Sequence, residues 1–255
     1  MSETVFVTGA TAGFGAATAR RFVGEGAKVV ASGRRFERLK ALQQEVGEAS
    51  LYPLQLEVRD RASIESALKT LPCAFSEVDV LVNNAGLALG IEPAHETRLE
   101  DWETMVDTNV KGLMYCTRLL LPGMVSRGRG HVINLGSVAG EFPYPGGNVY
   151  GATKAFVRQF SLNLRADLLG TPVRVTNIEP GLCGGTEFSQ VRLKDERKAA
   201  AVYAGTKPLT ADDIAEVIYW VSSRPPHVNI NTVQLMPVCQ AFGPLAIYRS
   251  TDSSP

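Results

Sequence analysis

The chain of 255 residues has little of what metal, disulfide or highly charged proteins are built from. It carries four cysteines and three histidines. Cys73, Cys116, Cys183 and Cys239 form no CxxC pair, and no Cys/His group has zinc spacing, so no metal is expected. Scattered single thiols fit a reducing, cytoplasmic setting. His95, His131 and His227 lie far apart and match no metal or triad template, so each reads as structural or superficial. Net charge is missing too, because 26 basic residues balance 26 acidic ones. That removes the electrostatic reason to expect a nucleic-acid or membrane-surface partner. No apolar run is long enough to span a bilayer. The opening MSETVFVTGATAG has no basic segment ahead of its apolar run, so no signal peptide is expected.

What is present is a large apolar fraction, 45% hydrophobic against 20% charged, which suits one sizeable core and not a disordered chain. Strand-like and helix-like stretches alternate from end to end. Strands are expected at residues 4–8, 28–32, 51–58, 78–82, 131–135, 174–178 and 232–236. Helices are expected over 13–25, around Leu39, Leu42 and Val46, around Ile64, Ala67, Leu68 and Leu71, from about Trp102 onward, over 149–169, and after a capping box at Thr210 to Asp213. Continuous apolar strands alternating with helices predict a single α/β domain. It is a Rossmann-type, doubly wound parallel sheet of about seven strands with helices on both faces. No repeat or linker divides residues 1–255. The polar stretch 184–208 interrupts the rhythm and falls at the edge of the sheet where ligands bind. It reads as a substrate lid or an ordinary surface insertion.

Gly9, Gly13 and Gly15 follow the first strand and open the first helix. The spacing is GxxxGxG, not the GxGxxG of the long dinucleotide fingerprint. In a strand–turn–helix setting it suits a pyrophosphate seated on a helix N-terminus, with Thr11, Ala12 and Phe14 in the same turn. The end of the second strand reads Ala-Ser-Gly-Arg34-Arg35, with no Asp or Glu between Val29 and Phe36. An NAD site usually places an acid there for the ribose 2′-hydroxyl, whereas paired guanidinium groups match a 2′-phosphate. The expected cofactor is NADP.

The series Thr8-Gly9-x-x-x-Gly13-x-Gly15, Asn83-Asn84-Ala85-Gly86, Asn109, Ser137, Tyr150-x-x-x-Lys154 and Pro180-Gly181 resembles the short-chain dehydrogenases/reductases, in that family's order and over most of the chain. The resemblance implies that Tyr150 is the general acid/base, that Lys154 lowers its pKa and holds the nicotinamide ribose, that Ser137 binds the substrate oxygen and that Asn109 relays protons. The physics is compatible. Residues i and i+4 share a helix face, and an ammonium beside a phenol lowers its pKa from the usual ~10. The resemblance also implies that Asn83 and Asn84 support the sheet and approach the adenosine ribose. Glu57 and Val58 would lie beside the adenine, although the family commonly has Asp where Glu57 stands. Pro180, Gly181, Cys183, Thr186 and Phe188 would wrap the nicotinamide. Cys183 has no basic partner visible in the sequence to make it a reactive thiol.

Within the family, the stretches around Tyr150 and Glu179 to Ser189 are most similar to the branch that oxidises 3-hydroxy acids with NADP. Implied substrates are serine, allo-threonine, 3-hydroxyisobutyrate and malonic semialdehyde, and the implied assembly is a homotetramer. A carboxylate substrate needs a cationic clamp, and Arg192 in the 184–208 stretch is the candidate. An NADPH-linked ketone or 3-oxoacyl-carrier reductase is the alternative on the same scaffold. A non-catalytic NADP sensor is the alternative of another class, although Asn109, Ser137, Tyr150 and Lys154 are all present. The tail after Val238 is read as a cover for this site or for a neighbour's.

Overall fold

The computed structural model describes residues 3–243. Seven strands form one parallel sheet: β1 (Thr4–Thr8), β2 (Lys28–Gly33), β3 (Leu51–Gln55), β4 (Val80–Asn83), β5 (Gly130–Leu135), β6 (Val173–Pro180) and β7 (Thr232–Leu235). Their spatial order is β3-β2-β1-β4-β5-β6-β7. The order reverses between β1 and β4, which pair in register from Val5 against Val80 to Val7 against Val82. A crevice opens beyond the strand ends at such a reversal.

Both faces of the sheet are covered, which is why its strands are apolar on both sides. Successive side chains of a strand point to opposite faces. Val5 and Val7 therefore pack with Ala19, Phe22, Leu39, Ile214 and Ile218 from helices α1 (Gly13–Gly24), α2 (Phe36–Val46) and α10 (Ala211–Ser222). Phe6, between them in sequence, packs on the opposite side with Ile64, Cys116, Met124 and Leu164. Those residues come from α3 (Arg61–Lys69), α6 (Leu113–Arg127) and α7 (Asn148–Asp167). The capping box is formed: Thr210 accepts from the Asp213 backbone, and the Asp213 carboxylate accepts from the Thr210 backbone.

The structure departs from the sequence expectation in four places. β3 ends at Gln55, so Leu56 to Val58 leave the sheet toward the crevice. The long middle helix is α5 (Leu99–Val106), a π-helical turn at Asp107–Gly112 and then α6. The turn contains Asn109, and such turns concentrate at functional sites. Stretch 184–208 holds two short helices, α8 (Phe188–Leu193) and α9 (Glu196–Ala201), and α4 (Cys73–Ser76) is a further short one. Among the described residues, no helix is long and apolar enough to cross a membrane.

Candidate active site

A cleft of about 800 Å³ runs along the C-terminal ends of the strands. At one end lie the β1–α1 turn and the residues after β2. Gly9 has φ +69°, and a Cβ there would sit 3.0 Å from the Ala85 backbone. Only glycine allows the turn to pass so close to the segment after β4. Ala12 precedes α1 and has no side chain to cap it. The first N–H groups of α1 are thus left for an anion in the cleft. Thr11, Ala12, Gly13 and Phe14 line this end together with Gly9. Gly15 stands behind the wall, where a Cβ would come within 2.5 Å of Asn84 Nδ2 and of the Gly9 carbonyl oxygen. Its part is to let helix and strand approach each other, not to touch a ligand.

Arg34 and Arg35 line the same end. Arg35 donates to Thr11 Oγ1 at 2.7 Å and 3.1 Å and lies 2.8 Å from the Glu187 carboxylate. Arg34 Nη1 is 3.8 Å from Glu57 Oε2. Glu57 and Val58 also face the cleft. The guanidinium pair, the uncapped helix and the glycine turn together fit a nucleotide with an extra phosphate. Among the described residues, no group of His, Cys, Asp and Glu has the arrangement to hold a metal ion.

Asn83 and Asn84, adjacent in sequence, part company here. The Asn84 side chain donates to the Thr8 and Gly9 carbonyls at the cleft wall. Asn83 was expected beside the cofactor. It turns instead into the core, where Nδ2 donates to Thr117 Oγ1 at 2.9 Å and to Asn134 Oδ1 at 2.8 Å. Asn109 also stands off the cleft. Its Oδ1 accepts from Leu87 N, and its Nδ2 donates to Leu87 O and Thr153 Oγ1. That side chain fixes the loop after β4 to α7. A Cβ on Gly86 would lie 3.3 Å from Asn109 Oδ1 and 3.6 Å from Lys154 Nζ, so the two groups flank one glycine.

The other end of the cleft holds Ser137, Tyr150 and Lys154. Ser137 follows β5 and opens a short 3-10 turn, Val138–Gly140, where its Oγ accepts from Ala139 N. Tyr150 and Lys154 are one turn apart on α7 and both are buried. Lys154 Nζ donates to the Leu135 carbonyl at 2.6 Å and lies 5.9 Å from the centre of the Tyr150 ring. Burial pushes the Tyr150 phenol up to about 12, and the Ser137 hydrogen bond and the Arg192 charge oppose that rise. Burial lowers Lys154 to about 8. Lys154 is not among the causes of the phenol's shift; desolvation leads for both groups. Burial thus drives apart two groups whose ordinary pKa values are close, the pattern of an acid/base site.

Pro180, Gly181, Cys183, Thr186 and Phe188 line the wall between the two ends. Burial also raises the Cys183 thiol to about 12, which keeps it protonated and unreactive. Arg192, on α8, reaches across to the reactive end. Its guanidinium donates to the Gly90 and Gly146 carbonyls at 3.0 Å and 3.2 Å, and its carbon lies 5.7 Å from the Tyr150 ring centre. Stretch 184–208 thus forms one side of the cleft. Sequence reading missed Tyr144, whose ring lies 5.3 Å from the same guanidinium. It also left open which site the tail covers. Gln240 and Phe242 line the cleft, Gln240 Oε1 accepting from Leu182 N and Phe242 packing on Phe142 at 4.8 Å. The tail after Val238 therefore covers its own site as far as Gly243, and the rest lies outside the described residues.

The sequence model of the short chain dehydrogenase family matches residues 3–197. The chain belongs to that family. It is 64% identical over 247 residues to the NADP-dependent 3-hydroxy acid dehydrogenase YdfG of Salmonella typhi, an alignment covering 96% of this chain and 99% of that protein. It is 55% identical over 252 residues to the serine 3-dehydrogenase of Agrobacterium fabrum, covering 98% and 100%. Among solved structures, the closed form of serine dehydrogenase complexed with NADP+ superposes with a TM-score of 0.95 at 61% identity, over 97% of this chain and 100% of that one. The serine dehydrogenase of Escherichia coli gives 0.84 at 58%, over 94% and 100%. The doubly wound parallel sheet is thus the fold of this short chain dehydrogenase.

Proposed function

We propose that the chain is an NADP-dependent dehydrogenase of small 3-hydroxy acids, such as 3-hydroxyisobutyrate, serine or allo-threonine, and a reductase of the matching 3-oxo acids such as malonic semialdehyde. The observation that carries this reading is that one cleft joins an arginine-lined nucleotide end to Ser137 and the buried Tyr150 and Lys154, with Arg192 over the phenol. Its near relatives, a 3-hydroxy acid dehydrogenase and a serine 3-dehydrogenase, supply the substrate class.

The α1 N-terminus would hold the pyrophosphate, Arg34 and Arg35 the 2′-phosphate, and Thr186 the nicotinamide amide. When bound, the nicotinamide accepts or donates the hydride. Tyr150 takes the alcohol proton in oxidation and returns it to the carbonyl oxygen in reduction. Ser137 hydrogen-bonds that oxygen and holds it in line. The Lys154 ammonium would favour the ionised phenol. Arg192 draws the substrate carboxylate toward Tyr150. Asn109 keeps the loop at Leu87 and α7 in register behind them. We assign the enzyme to the cytoplasm, in keeping with its free thiols, and to a homotetramer, which light scattering would check.

The test is NADPH formation with 3-hydroxyisobutyrate, serine and allo-threonine, run beside reduction of malonic semialdehyde and of a 3-oxoacyl thioester. Acceptance of the acids and refusal of the thioester is expected; the reverse would make the chain an acyl-carrier reductase. Replacing Arg34 and Arg35 together by alanine is expected to raise KM for NADP roughly 10- to 100-fold, the range of one charged hydrogen bond, because both side chains are exposed. KM for NAD should scarcely change, and equal losses would remove the 2′-phosphate role.

A further inference from the structure

Five residues outside the cleft lie behind the reactive group. Arg158 is the next residue along the α7 stripe that carries Tyr150 and Lys154, at successive i+4 steps. Its Nη1 lies 2.6 Å from Glu141 Oε2, just past the 3-10 turn that Ser137 opens, and its Nε lies 3.7 Å from Glu179 Oε1 on β6. Gln234 on β7 donates to both carboxylates, at 2.8 Å to Glu141 and 3.1 Å to Glu179. Asn177 Nδ2 donates to Glu179 Oε1 at 2.8 Å. The Glu179 side chain is only 1% exposed. A carboxylate buried so completely needs these donors, and losing one leaves an uncompensated group in the interior.

The position of this cluster connects it to the reaction. Glu179 precedes Pro180, whose carbonyl faces Ser137 Oγ at 3.4 Å. Asn177 packs under Gly136, where a Cβ would fall 2.5 Å from Asn177 Oδ1, and Gly136 N donates to the Ile178 carbonyl. The 3-10 turn rests on α7 with almost no clearance: a Cβ on Gly140 would be 2.7 Å from the Lys154 backbone. Three elements meet at Ser137 and Tyr150, and the cluster ties all three to β7.

We propose that Glu179, clasped by Arg158, Gln234 and Asn177, is a positioning residue that sets Ser137 against Tyr150. It touches neither substrate nor cofactor. It fixes how far β6 and the 3-10 turn stand from α7, and so where Ser137 stands relative to the phenol. The inference rests on the proposed role of Tyr150 as acid/base.

Glu179→Gln keeps the shape of the side chain and removes its charge. NADP-linked oxidation of 3-hydroxyisobutyrate is followed from about pH 6 to pH 10, spanning the ordinary range of a phenol perturbed by its surroundings. A loosened Ser137 is expected to lower kcat roughly 10-fold, within what a small misplacement costs. NADP binding should stay within about twofold. The limb along which the rate rises with pH should move to higher pH, because a displaced Ser137 no longer opposes the burial that raises the phenol. The direction decides. A negative charge acting on Tyr150 through space would, when removed, move the limb to lower pH, and that result would overturn the positioning role. So would an unmoved limb with unchanged kcat, whatever happens to the melting temperature. If Glu179→Gln fails to fold, Gln234→Leu takes out the donor shared by both carboxylates and is read in the same way. A wild-type enzyme inert toward every hydroxy acid would overturn the functional reading itself, whereas an active wild type with an unmoved limb overturns only this inference.

Discussion

Asn83, Thr117, Asn134 and Ser161 make one buried polar group, and half-buried Ser137 with buried Tyr150 and Lys154 makes another, just beyond β5 and on the same helix α7. In the first, every contact is between neutral partners at ordinary length. Asn83 donates to Thr117 and Asn134, Asn134 donates to Ser161 at 2.8 Å, and Ser161 donates to the Val157 carbonyl at 2.7 Å. In the second, an ammonium has one carbonyl for a partner, and the phenol beside it is held far from its ordinary pKa. The first group joins β4, β5, α6 and α7 and is silent chemically. The second opens on the cleft. Hydrogen bonds between neutral partners stabilise a core, whereas desolvated ionisable groups lower stability and are what chemistry uses.

The largest effect should come from the second group. Tyr150→Phe is expected to cut turnover at least about 10³-fold, within the span attributed to a positioned acid/base. Fluorescence titration should show NADP binding nearly intact, and the melting temperature should not fall. Asn134→Ala should do the opposite. It leaves an Asn83 donor and the Ser161 hydroxyl without their partner and should cost about 1–3 kcal/mol in urea unfolding, with kcat close to wild type. A large loss of kcat in a fully folded Asn134→Ala enzyme would break the division between the groups. Arg192→Leu should raise KM for 3-hydroxy acids about 10-fold and leave KM for uncharged alcohols alone, as one lost charged contact implies. An unchanged KM for the acids would return Arg192 to a purely mooring role.

The smallest effect is set by pH. His131 is buried on β5, with Nε2 2.8 Å from Thr176 Oγ1. Thr176 spends its own proton on the Ile230 carbonyl, so the neutral histidine donates from Nε2. Burial, helped by the Arg174 charge, holds its pKa well below 6.5. The unfolded chain takes up a proton near pH 6.5 and the folded one does not. Stability is therefore complete above that pH and falls below it, by at most about 1.4 kcal/mol per pH unit, until the depressed pKa is passed. His131→Leu should flatten that part of the stability curve. An unaltered slope would assign the acid sensitivity to other groups.

The sequence made the sheet legible because β1, β4 and β5 are short apolar runs bounded by turns, and because Thr210 to Asp213 announces a helix. It made the reactive trio legible because Tyr150 and Lys154 share a helix face. Asn83 and Asn84 show where it stops. Neighbours at a strand end point opposite ways, and composition does not say which one meets the ligand. The same limit hid the clasp around Glu179, whose members Glu141 and Gln234 are 93 positions apart. α8 and α9 are too short and polar to carry a period. Their role is visible only once Arg192 is seen bridging to Gly90 and Gly146.

The closing stretch of chain is part of the wall. Gln240 holds the loop at Leu182, and Phe242 seals against Phe142. Residues 240–242 follow β7 in the chain, so a chain that has made all seven strands still lacks part of its cleft wall. Trimming back to Val238 would leave the strands in place and one side of the cleft open.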